Sequence, residues 1–142
     1  MISKIEEFLT RYELLVLSIL LAAIILLNSQ GLSWGLPAYW NTDEIVTSVI
    51  PSLEGPVDFN QTNFDYPSLP KYVMLFIGRM TDRLGYPRTS FIIISRFFSV
   101  LLGALTVWLA YALVKAAGGK RFGALLAALL TATSSELSLN SH

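Results

Sequence analysis

Long apolar segments alternate with polar stretches along this chain of 142 residues. The first begins at Leu14, and Ser18 is its one polar residue up to Leu27. After three polar residues it continues to Leu36. Two further apolar segments cover residues 91–114 and 122–142. Because about 20 apolar residues are enough to cross a bilayer as a helix, the pattern predicts transmembrane helices at residues 14–36, 91–114 and 122–142.

The segment between the first two predicted spans, residues 37–90, carries two weaker helical patterns. Asn41 followed by Asp43 and Glu44 is typical of a helix start, since a side-chain cap and first-turn carboxylates stabilise that end. Farther on, apolar residues from Leu69 to Leu84 recur every three or four positions among charged ones. Both patterns predict amphipathic helices that lie in the membrane interface. A fourth span at the second pattern, the alternative, would reverse the orientation of everything after it.

Composition excludes several classes of protein. Of the residues, 54% are hydrophobic and 14% are charged, whereas a soluble domain has about 45–50% and about 25%. Ten basic residues balance ten acidic ones, so no basic excess exists to meet nucleic-acid phosphates. Cysteine is absent and the single histidine is His142, which gives no basis for a metal site or a bound cofactor. The expected fold is therefore an all-α membrane protein with three transmembrane and two interfacial helices.

Basic residues in short connections favour the cytoplasmic side of a membrane. The turn at residues 115–121 holds three and the tail at residues 1–13 holds two, whereas the connection at residues 37–90 holds four together with six acidic residues. We therefore expect the tail and turn in the cytoplasm and the long connection outside, in a bacterial or archaeal cell membrane. A cleaved signal peptide, the alternative for the first span, fits poorly with an acidic leader.

Three alanines in the last predicted span lie four residues apart, at Ala124, Ala128 and Ala132. Small residues at this spacing form one smooth face, which permits close contact between helices in lipid. Alanine as a neutral helix former explains the same pattern equally well. The sequence leaves both interpretations open.

Few residues in the sequence are candidates for catalysis or for binding an anionic ligand. Asp43 and Glu44 are adjacent carboxylates beyond the first span, where one of them could take a proton from a hydroxyl, although acidic residues also stabilise a helix start without any function. Arg96 lies six residues into the second span, where a guanidinium either reaches the interface, pairs with protein, or meets an anion. Lys71 belongs to the second amphipathic pattern and is the basic residue there that most plausibly faces a lipid phosphate rather than bulk lipid head groups.

The order of these features resembles the amino-terminal part of GT-C integral-membrane glycosyltransferases, above all the protein O-mannosyltransferase and aminoarabinose-transferase-like families. A first span precedes the acidic pair Asp43-Glu44. The Pro-containing entry Phe64-Asp65-Tyr66-Pro67-Ser68-Leu69-Pro70-Lys71-Tyr72 opens the second amphipathic helix. The segment Arg96-Phe97-Phe98-Ser99-Val100-Leu101-Leu102-Gly103 opens the next span. Many relatives carry Lys-Pro or Pro-Pro where this chain has Tyr66-Pro67.

The resemblance implies an enzyme that moves a sugar from a polyprenyl-phosphate donor to a hydroxyl of a lipid or protein acceptor on the outer or lumenal face, with inversion at the anomeric carbon. It implies Asp43 as the general base with Glu44 as its acidic neighbour. Arg96 and Lys71 become candidates for the donor phosphate, and Asp65 and Tyr66 for the loop or acceptor side.

Such enzymes have several hundred residues, so the resemblance also implies a truncated chain that is inactive by itself. Two other functions fit the same sequence. A small non-catalytic scaffold or subunit would use the interfacial helices and the alanine face to bind partner helices or lipids. A lipid-binding or transport component would place Arg96 in a water-filled cavity.

Overall fold

The computed structural model describes residues 2–36, 49, 53 and 68–134 of the chain. These residues form helices joined by turns, without a strand among them. Four helices have defined bounds: α1 Ile2–Ser29, α2 Ser68–Arg83, α3 Arg88–Ala116 and α4 Arg121–Ala132. The predicted all-α class is thus confirmed for the part of the chain that the structure describes.

Two helices are long and apolar enough to cross a membrane, at Thr10–Ser29 and Arg88–Ala116. The first ends before the predicted boundary at Leu36, and a turn follows it. At this end Asn28 Nδ2 donates a hydrogen bond to the carbonyl of Ile24 at 3.0 Å. Such a bond offers the backbone an alternative to continuing the helix. Gly35 in the turn has a φ of 77°, which glycine adopts without strain.

The third predicted span is not confirmed. Its helix, α4, has 12 residues, a length of about 18 Å at 1.5 Å per residue, which is shorter than a hydrocarbon core of about 30 Å. Thr131 and Thr133 donate their hydroxyls to the carbonyls of Ala127 and Leu129 at 2.8 and 3.0 Å. Side chains that bond the backbone in this way compete with the helix. Residues 135–142 lie outside the described part.

The amphipathic helix predicted from Leu69 to Leu84 is present as α2. The start of the other predicted amphipathic helix, at Asn41, lies outside the described residues. Gly85, with a φ of 73°, ends α2, and Gly118, with a φ of 78°, ends α3. At both ends the glycine N–H bonds the carbonyl three residues back and the next N–H bonds the carbonyl five back, the Schellman arrangement that supplies the last carbonyls of a helix with donors.

The chain forms two compact units, one of Met1–Leu32 with Phe98–His142 and the other of Ser33–Phe97. In the first unit the buried core joins three helices. It consists of Leu17 from α1, Val107 and Tyr111 from α3, and Ala124 and Ala128 from α4. Both alanines are fully buried, so the alanine face of α4 is a packing surface, as one of the two interpretations of the sequence expected.

In the second unit α2 packs closely on the beginning of α3. Gly78 provides the close approach, because a Cβ atom there would lie 2.5 Å from Cδ2 of Leu53 and 3.2 Å from the ring of Phe91. Met74 and Leu75 from α2 are buried as well. A Cβ here would force the Leu53 side chain to shift, so glycine serves close packing and not backbone conformation, since a helical residue has an ordinary φ.

Candidate functional site

Arg96 is buried near the beginning of α3, with 8% of its surface exposed. Its Nη1 donates a hydrogen bond of 2.8 Å to the backbone carbonyl of Trp34, in the turn that follows α1. A charged donor strengthens such a bond, and burial requires the guanidinium to be paired. The sequence allowed this guanidinium to reach the interface, to pair with protein or to meet an anion. The structure shows that it pairs with protein.

Several residues around Arg96 at the beginning of α3 are buried. Phe91 and Ile92 are 1% exposed, and Ser95 is fully buried. Ile92 lies one turn before Arg96 and shares its face, whereas Phe91 and Ser95 bury other faces of the same helix. The packing fixes the direction of the helix and holds the guanidinium against the turn after α1. Arg96 therefore links two segments that are 62 positions apart in sequence.

Lys71 differs from the other basic residues near α2. It is 8% exposed, whereas Arg79 is half-buried and Arg83 and Arg88 are exposed. It lies in the first turn of α2, on the face that carries Met74 and Leu75 into the protein. Its burial separates Lys71 from the exposed arginines, which are placed to meet lipid head groups. The sequence singled out Lys71 for this position but could not establish its burial.

The remaining candidates lie outside the described residues. These are Asp43 and Glu44, expected as the base and its neighbour, and Asp65 and Tyr66, expected on the loop or acceptor side. Their roles stay predictions. Among the residues that the structure describes, no group of three His, Cys, Asp or Glu residues lies together as a metal site would require.

One polar cluster was not predicted from the sequence. The Glu13 carboxylate accepts a hydrogen bond of 2.7 Å from the Tyr111 hydroxyl and forms salt bridges with Lys115 Nζ at 3.1 Å and Arg121 Nε at 2.9 Å. Arg121 Nη1 also donates to the Thr10 hydroxyl at 3.0 Å. We call these five residues the Glu13 cluster. It joins α1, α3 and α4 at one end of their packed helices.

The Glu13 cluster bears on the predicted topology. Glu13 lies near the beginning of the candidate span Thr10–Ser29 within α1, and Lys115 and Arg121 flank the turn between α3 and α4, so this end of the span and the turn lie at the same end of the unit. Their placement on one side of the membrane stays a prediction. The sequence shows an acidic residue, Glu13, before the first span and basic residues, Lys115 and Arg121, after the second. Their spacing alone does not indicate that they form ion pairs.

Comparison with known proteins gives one family. Residues 82–142 match the family model described as dolichyl-phosphate-mannose-protein mannosyltransferase. The resemblance to protein O-mannosyltransferases is thereby confirmed for this part of the chain. No curated protein and no solved structure matches the chain.

The matched segment contains Arg96 together with all of α3 and α4, whereas Lys71, Asp43 and Asp65 precede it. The match supports a mannosyltransferase-type glycosyltransferase, and the two candidate spans agree with a membrane-embedded one.

Proposed function

We propose that this chain carries part of the active site of a membrane glycosyltransferase. The donor would be a sugar linked to a polyprenyl phosphate, the acceptor a hydroxyl of a lipid or protein, and the reacting face extracytoplasmic. The observation that carries the proposal is the family match across the helix that holds Arg96. Mannose is the first sugar to test, because it is the one in the description of the matched family.

The proposed reaction is a displacement with inversion at the anomeric carbon. The Asp43 carboxylate takes the proton of the acceptor hydroxyl, and the acceptor oxygen attacks the anomeric carbon opposite the phosphate. The bond between that carbon and the phosphate oxygen breaks, and the lipid phosphate leaves with the electron pair. Positive charge near the departing phosphate stabilises it in a poorly hydrated site. Lys71, buried and cationic, is the proposed source of that charge.

Arg96 is proposed to act by positioning rather than by touching the donor. Its bond to the Trp34 carbonyl fixes the turn from which the chain continues to Asp43, nine residues later. A base must come within about 2.6–3.2 Å of the proton it removes. Holding the start of this short segment reduces the positions that Asp43 can sample, and so lowers the cost of reaching that geometry.

The two alternative functions receive less support. A scaffold that binds partners through its alanine face would need that face accessible, but Ala124 and Ala128 are fully buried in the core of their own unit. A transport component was to place Arg96 in a water-filled cavity, but the guanidinium is buried and bonded to a backbone carbonyl.

The test uses membranes from cells that express the complete reading frame containing this chain, with mannose on a polyprenyl phosphate as donor. We expect Asp43→Asn to lower kcat by about 10²–10⁴-fold, the usual contribution of a general base. Asp82→Asn, which removes an exposed carboxylate, is the matched control and is expected to leave transfer unchanged. Undiminished transfer by the Asp43→Asn variant would show that Asp43 is not the general base.

The roles of Lys71 and Arg96 are distinguished by whether substitution changes the KM for the donor. Lys71→Gln is expected to lower kcat, because charge near the departing phosphate is lost, and also to raise the KM for the donor, whose phosphate is charged before transfer as well. Lys120→Gln, at an exposed residue, is its control. Arg96→Lys retains the charge but has no planar fork, so a positioning role predicts a lower kcat with little change in the KM for the donor. If Arg96→Lys raised the donor KM instead, contact with the phosphate would replace positioning.

A further inference from the structure

The Glu13 cluster carries more positive than negative charge. The Glu13 carboxylate is shared by two cations, with Lys115 Nζ at 3.1 Å and Arg121 Nε at 2.9 Å. Within the part of the chain that the structure describes, neither cation contacts a second carboxylate. One of the two positive charges is therefore not balanced by a described acidic residue.

The cations of the cluster are its accessible side. The Glu13 side chain is 13% exposed, whereas those of Lys115 and Arg121 are 35% and 47% exposed. The guanidinium of Arg121 donates through Nε to Glu13 and through Nη1 to Thr10. Its Nη2 carries two further N–H donors, and these make no hydrogen bond to the described residues. The exposed surface thus presents positive charge and hydrogen-bond donors, with the carboxylate behind them.

The shared carboxylate also fixes the spacing of the two cations. Lys115 Nζ contacts one oxygen of Glu13 and Arg121 Nε contacts the other, while the Tyr111 hydroxyl holds that carboxylate at 2.7 Å. A phosphate has oxygens at a spacing similar to those of a carboxylate, so one phosphate on the exposed side can contact both cations. Two long side chains that are already ordered lose less entropy when they bind a ligand.

The cluster lies where the helices leave the apolar part of the membrane. Glu13 is near the beginning of the candidate span Thr10–Ser29, and Lys115 is next to the end of the candidate span Arg88–Ala116. Exposed apolar side chains lie one or two positions further into the three helices, at Leu14, Leu113 and Phe122. A molecule on this surface meets cations at its polar end and apolar side chains along its tail.

We propose that Lys115 and Arg121 form a binding site for the phosphate of an anionic phospholipid, with Glu13 as the residue that holds the two cations in place. An ammonium and a guanidinium fork both donate to phosphate oxygens. A lipid is the source because the neighbouring apolar side chains fit its acyl chains, and basic pockets between transmembrane helices bind anionic head groups. The bound lipid bridges α3 and α4 across their turn. This inference does not depend on the proposed glycosyltransferase activity.

The test measures the binding of lipid to the full chain, purified in dodecyl maltoside micelles, by native mass spectrometry. Phosphatidylglycerol is the anionic probe, and phosphatidylcholine, whose phosphate is neutralised by its choline, is the reference. Lys115→Gln and Arg121→Gln each remove one cation of the site. Arg11→Gln is the matched control, because Arg11 is exposed near the same end of α1 and its guanidinium lies 5.5 Å from the Tyr12 ring and outside the cluster.

The variants of the site are expected to raise the Kd for the first phosphatidylglycerol by about fivefold each, which corresponds to the attraction of one basic residue to an anionic lipid. The Kd for phosphatidylcholine stays unchanged, which also shows that a variant is folded. Lys115→Gln leaves the bonds from Tyr111 and Arg121 to Glu13 in place, so it decides the outcome if Arg121→Gln fails to fold. Arg11→Gln is expected to leave both Kd values unchanged.

Three results would overturn the proposal. An equal rise in Kd for Arg11→Gln would show attraction to the whole end of the helices and no site at the cluster. Equal affinities of the unsubstituted chain for the two lipids would show that the two cations do not select a net negative head group. Displacement of phosphatidylglycerol by millimolar inorganic phosphate would assign the site to a soluble anion.

Discussion

Replacing Glu13 by Gln tests whether the Glu13 cluster holds the three helices of its unit together. The substitution keeps the size of the side chain and removes its charge. One Gln oxygen can still accept the Tyr111 hydroxyl bond, but the new amide N–H₂ then faces Arg121 Nε, a donor facing a donor. Lys115 loses its counter-charge. The perturbation is therefore electrostatic, with little change in packing.

The magnitude follows from the burial of each partner. The Glu13 side chain is 13% exposed, whereas those of Lys115 and Arg121 are 35% and 47% exposed. Exposed ion pairs contribute about 0.2–1 kcal/mol each, and a hydrogen bond to a charged group contributes about 1.5–3 kcal/mol. Since the Gln side chain retains part of the Tyr111 bond, we expect Glu13→Gln to lower the free energy of unfolding by about 2 kcal/mol.

The assay is reversible unfolding in mixed micelles by increasing mole fractions of sodium dodecyl sulfate, followed by tryptophan fluorescence. Trp34 and Trp40 are replaced by Phe in the reference protein and in every variant. The remaining Trp108 lies on α3 near the core residues Val107 and Tyr111, so its fluorescence reports on this unit. Asp82→Asn is the matched control, as it neutralises an exposed carboxylate elsewhere in the chain. Equal unfolding free energies for Glu13→Gln and Asp82→Asn would refute the reasoning.

A double-mutant cycle with Tyr111→Phe isolates the hydrogen bond between the two side chains. Partners in direct contact show a coupling energy of about 0.5–3 kcal/mol, and in membrane proteins such bonds average about 0.6 kcal/mol. A coupling energy indistinguishable from zero would mean that the 2.7 Å bond contributes nothing net to the stability of the unit.

Two further substitutions test the packing of each unit. Gly78→Ala places a Cβ 2.5 Å from Leu53 Cδ2, and overpacking of this kind costs about 1–3 kcal/mol, which the same unfolding titration would measure. Gly123→Ala is the control in α4, because its Cβ would meet its nearest atom at 4.0 Å and alanine is a better helix former, so it is expected to stabilise by about 0.5–1 kcal/mol. Equal effects of the two substitutions would contradict the packing argument. Ala128→Leu is expected to separate α1 from α4 because Ala128 is fully buried, so that a disulfide between cysteines introduced on the two helices forms more slowly; an unchanged rate of crosslinking would show that the interface tolerates the larger side chain.

Apolar periodicity determined much of this architecture before any contact was known. A run of apolar residues as long as that from Leu14 has no favourable state in water, and its backbone is satisfied in lipid only as a helix. In the same way a second span was predicted at residues 91–114, and a helix long and apolar enough to cross a membrane is found at Arg88–Ala116. The amphipathic helix α2 followed from spacing in the same way, because spacing of three and four residues is a property of the helix itself.

What the tertiary structure decided is which residues on these helices meet. The sequence identified Arg96 as costly in a span, but only the fold supplied its partner, the Trp34 carbonyl. Glu13 and Arg121 are 108 positions apart, and no local rule pairs residues at that distance. Periodicity gave α2 one apolar set, and packing against Phe91 divided it into a buried face and an exposed face. Local sequence determines a helix because its hydrogen bonds are local, whereas pairing between helices depends on the whole chain.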